Sequence, residues 1–148
     1  MASGVGLKHI EQHISRIDQE LDIQFELYGF DSFEGLPAPS DYVDMPYHWE
    51  ESEYEGNVSE VEEKIELAQL CIGDVSDTVP AFIEEYDPAP IGSMIIDLDL
   101  YTSTMDALSL LDQGHKHFLP RVPMYFDDVN PNNNSLLANY NRFSGELR

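Results

Sequence analysis

The chain has 148 residues, 42% of them hydrophobic, which is enough for the core of one domain. Its 29 acidic residues against 7 Lys and Arg residues give a formal net charge of −22, and this field repels nucleic acid and anionic membrane surfaces. No run approaches the roughly 20 apolar residues of a membrane span and no signal peptide is recognisable, so we expect a cytoplasmic protein. Cys71, the single cysteine, lies in an apolar run and is expected to be a buried thiol.

Helical and extended segments alternate along the chain, as the spacing of apolar residues and the capping residues indicate. In chain order we predict a helix over 7–21, a strand over 23–30, a helix over 59–69, a strand over 70–73, a helix over 77–86, a strand over 93–99, a helix over 103–114, a strand over 121–126 and a helix over 136–143. Ser59, paired with Glu62 in a capping box, and Ser103 are the predicted N-caps of their helices. This order predicts an α/β fold with a doubly wound parallel sheet and helices on both faces.

The longest predicted loop covers residues 32–57 and contains the aromatic and acidic run Tyr47-His48-Trp49-Glu50-Glu51. A loop of this length inside a compact domain is typical of a functional loop or a lid. Two interpretations remain open for its aromatic residues. They line a lid that faces the substrate, or they pack the loop onto the sheet.

Every predicted strand is followed by acidic residues. They are Asp31, Asp74, Asp97 with Asp99, and Asp127 with Asp128. Because parallel strands end at the same edge of a sheet, we expect these carboxylates at one edge, where α/β proteins bind ligands. Converging carboxylates repel one another unless they are protonated or bind a cation, and hard oxygen ligands suit Mg²⁺ or Mn²⁺. The alternative is that one acid of each pair caps a helix or faces solvent.

The run FDSFEGLP at residues 30–37 resembles the macrocin O-methyltransferase (TylF-like) family of class I S-adenosylmethionine-dependent methyltransferases. Three further segments match that family in the same order: GD at 73–74 with DTVP at 77–80, IDLDLYTST at 96–104, and FDDV at 126–129. The resemblance covers residues 4–148. It implies a Rossmann-like domain that transfers a methyl group to a hydroxyl of a sugar or another small natural product.

The resemblance also implies roles for the matching residues. The cofactor-binding residues would be Gly4, Gly6, Asp31, Ser32, Phe33, Asp74 and Val75, with Asp31 on the ribose of S-adenosylmethionine and Asp74 facing its adenine. The ligands of Mg²⁺ or Mn²⁺ would be Asp97, Asp99, Asp127 and Asp128. Asp97 or Asp99 would also take the proton of the acceptor hydroxyl.

The chain departs from the family's pattern at both ends. Family members have a full first strand before the first helix, of which this chain keeps only a glycine-containing turn, and further strands after the fifth. We therefore expect a single partial domain over residues 1–148 that lacks the first strand and the last strands. The resulting gap would expose two strand edges, so the chain is expected to pair with a second copy, to rearrange its strands, or to be less stable and bind the cofactor poorly.

Two other functions use the same acids. The Asp97-Leu98-Asp99 run, with Asp127 and Asp128, is similar to the acids of a haloacid-dehalogenase-like phosphatase. Position 101 is Tyr where that family has Thr or Val, and no suitable lysine lies between the two sites, which argues against a phosphatase. The non-enzymatic alternative is a truncated acidic protein that binds cations without turnover.

Overall fold

The computed structural model describes residues 3–127 and has a mixed α/β architecture in which helices and strands alternate. The helices are Val5–Leu21 (α1), Val58–Glu62 (α2), Val75–Tyr86 (α3) and Tyr101–Leu108 (α4), with short 3₁₀ turns at Tyr42–Asp44, Ser109–Gln113 and His115–His117. The strands are Tyr28–Asp31 (β1), Gln69–Ile72 (β2), Met94–Ile96 (β3) and Met124–Phe126 (β4). The predicted helix over 136–143 lies outside the described residues.

The four strands form two separate two-stranded parallel sheets. Strand β1 pairs with β2, with Tyr28 opposite Gln69, and β3 pairs with β4, with Met94 opposite Met124. The predicted parallel pairing is therefore confirmed. The described residues do not join the two pairs into one doubly wound sheet, and β1 and β3 each have one edge without a described partner strand.

Strands β1, β3 and β4 are shorter than the sequence pattern predicts, whereas β2 has the predicted length. Residues 23–27 alternate in polarity but precede β1 without forming a strand, and Ile23 and Phe25 are exposed there. The physical reason is that a strand extends only as far as its partner does. Since β2 has 4 residues, β1 can pair with it over 4 residues and no more.

Two helices begin at caps that differ from the predicted ones. Helix α2 begins after Asn57, whose side chain accepts a hydrogen bond from the backbone N–H of Glu60, so Ser59 lies inside the helix. Helix α3 begins after Asp74, whose carboxylate accepts a hydrogen bond of 2.8 Å from the backbone N–H of Ser76. In both cases a side-chain acceptor placed earlier in the chain satisfies one of the first free N–H groups of the helix.

One hydrophobic core connects the two sheets. It consists of Cys71 on β2, Val75, Val79 and Phe82 on α3, and Leu110. The ring of Phe82 packs edge-on against Tyr28 and Phe30 of β1, with centroid distances of 4.9 and 5.1 Å, and Met94 of β3 packs against the same cluster. Helix α3 thus covers β1, and the cluster that it forms with Cys71 and Leu110 extends to Met94 of β3. Cys71 is 2% exposed, which confirms the predicted buried thiol, and burial raises its pKa.

The opposite face of the sheets is only partly covered. Ile72 and Ile95 each lie next to a buried residue of their strand, Cys71 and Ile96, and are 51% and 54% exposed, and Tyr125 of β4 is 58% exposed. The prediction of helices on both faces is therefore only partly met within residues 3–127.

Candidate functional site

The chain turns sharply after β1, at the first of the predicted site residues. The carboxylate of Asp31 accepts a hydrogen bond of 2.8 Å from the backbone N–H of Phe33, whose ring is buried. Phe33 and Gly35 have φ angles of +60° and +82°. A Cβ atom on Gly35 would lie 2.6 Å from the carbonyl oxygen of Glu53, so this close approach of two backbone segments requires glycine.

A pocket of about 500 Å³ lies beside this turn, at the carboxyl ends of β1 and β2. Its size is within the range of small-molecule sites. The lining includes the carboxylates Glu34, Glu51, Asp74 and Asp77, and no Lys, Arg or His of residues 3–127 belongs to it. Such a lining favours cationic ligands and ligands that carry hydrogen-bond donors.

Several residues predicted to bind a cofactor lie in or next to this pocket. Ser32 and Asp74 line it, and Asp31 and Phe33 form the adjoining turn. Val75 follows Asp74 but is part of the buried core. The structure therefore groups the residues at the ends of β1 and β2, as the parallel pairing of these strands requires.

Gly4 and Gly6 do not line the pocket; they lie at the start of α1. Gly4 is buried and has a φ angle of +67°, and a Cβ atom there would lie 3.0 Å from the Cγ1 atom of Val61. Gly6 is exposed in the first turn of the helix, with nothing within 4 Å of the position of a Cβ atom. Gly4 thus allows α1 to pack against α2, and contact of either glycine with a cofactor stays a prediction.

Asp97 and Asp127 lie next to each other at the carboxyl ends of β3 and β4. The backbone N–H of Asp127 donates to the carbonyl oxygen of Ile96 over 3.0 Å. The hydrogen bonds between the two strands therefore continue one residue past the pair of Ile96 and Phe126. Within residues 3–127 no three His, Cys, Asp or Glu side chains form a group that could hold a metal ion. Asp128 lies outside the described residues, so the predicted metal site, with Asp99 as a further ligand, stays a prediction.

A fully buried carboxylate that the sequence patterns did not single out belongs to the long loop. Asp44 is 0% exposed and accepts hydrogen bonds from the backbone N–H and the hydroxyl of Ser40, both 3.1 Å, and of Thr102, both 2.9 Å. Burial alone would raise the pKa of Asp44, but these four hydrogen bonds outweigh burial and lower it. The carboxylate thus joins the loop to the segment after β3.

Asp44 also supplies the N-cap that α4 lacks. The helix begins after Leu100, which has no side-chain acceptor, and Thr102 carries one of the N–H groups without a partner inside the helix. A carboxylate at this position satisfies that donor and interacts favourably with the helix dipole. The prediction that Ser103 caps this helix is therefore wrong, because the acceptor comes from a residue 58 positions earlier.

Asp106 on α4 is a second acid that the motifs did not reveal. Burial raises the pKa of Asp106, and the negative charges of Asp74 and Asp44 raise it further. The carboxyl group therefore lies within electrostatic range of both the pocket and the long loop. A carboxyl group with a raised pKa near a pocket is a candidate proton donor or acceptor.

The aromatic residues of the loop pack mainly against one another. The ring of Trp49 lies edge-on to His48 and Tyr54, with centroid distances of 4.4 and 6.2 Å. The backbone N–H groups of His48 and Trp49 both donate to the carbonyl oxygen of Met45, which is itself 1% exposed. Tyr47, in contrast, is 70% exposed. Trp49 thus packs within the loop itself, and the two interpretations, a lid that faces the substrate and packing onto the sheet, both stay predictions.

Comparison with protein-family profiles, curated proteins and solved structures finds no match to this chain. No helix in residues 3–127 is both long enough and apolar enough to cross a membrane.

Proposed function

We propose that this chain is a domain of an S-adenosylmethionine-dependent O-methyltransferase that acts, with a divalent metal ion, on a hydroxyl group of a sugar or another small natural product. The observation that carries the proposal is the acidic pocket at the ends of β1 and β2. The same residues 30–37 that resemble the methyltransferase family form the turn beside it. The cofactor has a positive sulfonium and two ribose hydroxyl donors, which suit a pocket lined with carboxylates.

The residues at this pocket fit the cofactor in their chemistry. An acid that follows a strand of a nucleotide-binding sheet accepts hydrogen bonds from ribose hydroxyls. Asp31 is in this position, and the hydrogen bond from Phe33 orients its carboxylate without any ligand. Asp74, on the pocket wall, would face the adenine. When bound, the cofactor would supply a methyl group that the positive charge on sulfur activates.

The methyl acceptor would lie toward β3 and β4. Asp97 or Asp99 would take the proton of its hydroxyl group, which makes the oxygen a better nucleophile. The four acids Asp97, Asp99, Asp127 and Asp128 offer only oxygen ligands, as Mg²⁺ and Mn²⁺ prefer. When bound, such an ion would orient the acceptor hydroxyl and make its proton easier to remove.

Calorimetric titration with S-adenosylmethionine tests the cofactor assignment. We expect weak but measurable binding by the wild-type chain and about tenfold weaker binding by Asp31→Ala, since a charged hydrogen-bond acceptor is lost. Asp31→Asn keeps an oxygen for the N–H of Phe33 and separates loss of charge from loss of the turn. Asp18→Ala is the control, because Asp18 is an exposed acid on α1 that belongs neither to the pocket nor to the loop of residues 32–57.

Two results would contradict the proposal. If Asp31→Ala binds as well as the wild type, Asp31 does not hold the ribose. If the wild type does not bind at millimolar ligand, the chain does not use this cofactor, and the cation-binding alternative gains support. Methyl transfer from labelled cofactor to hydroxyl acceptors then distinguishes an enzyme from a binding protein.

A further inference from the structure

The loop of residues 32–57 leads from β1 to α2 and is held to the rest of the molecule at two places. At its base the backbone N–H of Leu36 donates to the carbonyl oxygen of Glu53, and that of Ser52 donates to the carbonyl oxygen of Leu36, both over 2.8 Å. Leu36 and Ser52 also line the pocket at the ends of β1 and β2. Farther along the loop, Asp44 bonds to Thr102 in the first turn of α4, which follows β3. The loop is therefore anchored both beside the β1–β2 pair and at the start of α4.

The anchor at α4 depends on one carboxylate. Asp44 receives its four hydrogen bonds from Ser40 and Thr102 and has no ion pair with a basic residue in the described part of the chain. A buried charge held only by neutral donors is costly to displace, because any lost bond leaves the charge unsatisfied. Thr102 in turn depends on Asp44, since Leu100 offers no cap. The loop and the start of α4 thus stabilise each other's position.

We infer that Asp44 is a positioning residue of the candidate site: by capping α4 from the loop, it keeps the loop in place as a wall of the pocket and so sets the affinity of the pocket for its ligand. When a binding-competent conformation is only partly populated, the apparent affinity falls by that fraction. The identity of the ligand rests on the proposed function. The position of the loop can be measured without any ligand.

Trp49, the only tryptophan in the chain, reports the position of the loop. It is partly buried, and its backbone N–H bonds to Met45, the residue after Asp44. In Asp44→Asn under native conditions we expect acrylamide quenching of Trp49 fluorescence to rise about twofold, because the loop then opens locally.

Glu11→Gln is the matched control. Glu11 is also a buried carboxylate, 3% exposed, but it is held by the backbone N–H groups of residues 66–68 and not by the loop. This variant is expected to lose stability and to leave Trp49 quenching unchanged. The comparison therefore separates a general loss of stability from a displaced loop.

Two milder variants cover the case in which Asp44→Asn does not fold. Thr102→Val removes the hydroxyl that donates to Asp44 and keeps the backbone N–H bond. Thr102→Ser keeps the hydroxyl. We expect increased quenching of Trp49 in Thr102→Val and wild-type quenching in Thr102→Ser.

Titration with S-adenosylmethionine completes the test. Binding is expected to be about tenfold weaker in Asp44→Asn and unchanged in Glu11→Gln. Unchanged Trp49 quenching in both Asp44→Asn and Thr102→Val overturns the inference, as does increased quenching with unchanged affinity. If the wild type does not bind this ligand while quenching rises in both variants, the proposed cofactor is wrong and the role of Asp44 in holding the loop is supported.

Discussion

Replacement of Glu11 by glutamine should destabilise the protein strongly, although Glu11 is one of 29 acidic residues. Glu11 lies on α1 and is 3% exposed. Its Oε1 atom accepts hydrogen bonds from the backbone N–H groups of Glu66, Leu67 and Ala68 at 2.9, 2.7 and 2.8 Å. The Nζ atom of Lys8 lies 3.5 Å from its Oε2 atom. The carboxylate therefore fastens α1 to the segment that leads into β2.

The expected magnitude follows from these three hydrogen bonds. A hydrogen bond to a charged group contributes about 1.5–3 kcal/mol and one between neutral groups about 0.5–1.5 kcal/mol. Glutamine keeps one acceptor oxygen but removes the charge, so each bond loses about 1 kcal/mol and the free energy of unfolding falls by about 3 kcal/mol. At roughly 2–4 °C per kcal/mol, Tm should fall by about 10 °C.

The same substitution should change how stability depends on pH. Burial alone would raise the pKa of Glu11, but the three backbone hydrogen bonds and the charge of Lys8 outweigh burial and lower it below the usual 4.5. A carboxyl group with a lowered pKa stabilises the fold above its unfolded pKa and loses this contribution as the pH falls through the folded pKa. The difference between wild type and Glu11→Gln should therefore be largest at neutral pH and shrink below about pH 4.

Urea denaturation followed by circular dichroism, at pH 7 and in steps down to pH 3, measures both effects. Glu20→Gln is the control, since Glu20 is an exposed acid on the same helix, and its unfolding free energy should change by less than about 0.5 kcal/mol. A loss below about 1 kcal/mol for Glu11→Gln at pH 7 would refute the hydrogen-bond reasoning. So would a loss that stays constant as the pH falls.

Two further predictions concern the start of α1 and the edge formed by β3 and β4. Gly6→Ala should raise the free energy of unfolding by about 0.5–1 kcal/mol, because alanine favours an exposed helix position. Gly4→Ala should lower the free energy of unfolding, because Gly4 has a φ angle of +67° and a Cβ atom there would press against Val61. Thermal denaturation measures both variants, and equal effects of the two substitutions would contradict this reasoning. Calorimetry should detect Mg²⁺ or Mn²⁺ binding that Asp127→Asn weakens about tenfold, and equally weak binding by both proteins would exclude a specific site.

Short-range patterns predicted the elements whose determinants are local. The apolar spacing of α1 and α3 and the acids that follow the strands could be read from neighbouring residues, and the structure places those elements close to their predicted positions. Sheet pairing depends on distant partners, so the short extent of β1 could not be predicted from its own alternation. The residues at the pocket came together as expected because β1 and β2 are parallel neighbours.

The two most strongly held acids escaped prediction for the same reason. Glu11 and Asp44 look like ordinary surface acids in a chain with a net charge of −22. Their donors lie up to 57 and 58 residues away in the sequence, and only the folded chain brings them together. For Asp44 there is one local indication, at Leu100. A helix that begins after a residue without a side-chain acceptor needs an acceptor from another part of the chain.

We expect two opposing electrostatic effects on the position of the loop. Glu34 and Glu51 of the loop line the pocket together with Asp74 and Asp77, and repulsion between like charges favours an open loop. Asp44 opposes the repulsion by bonding to Thr102 at α4. A cation bound in the pocket would neutralise part of the same repulsion. A positively charged ligand and the Asp44 anchor would therefore stabilise the same loop position, which is why loss of the anchor should weaken binding even though Asp44 does not line the pocket.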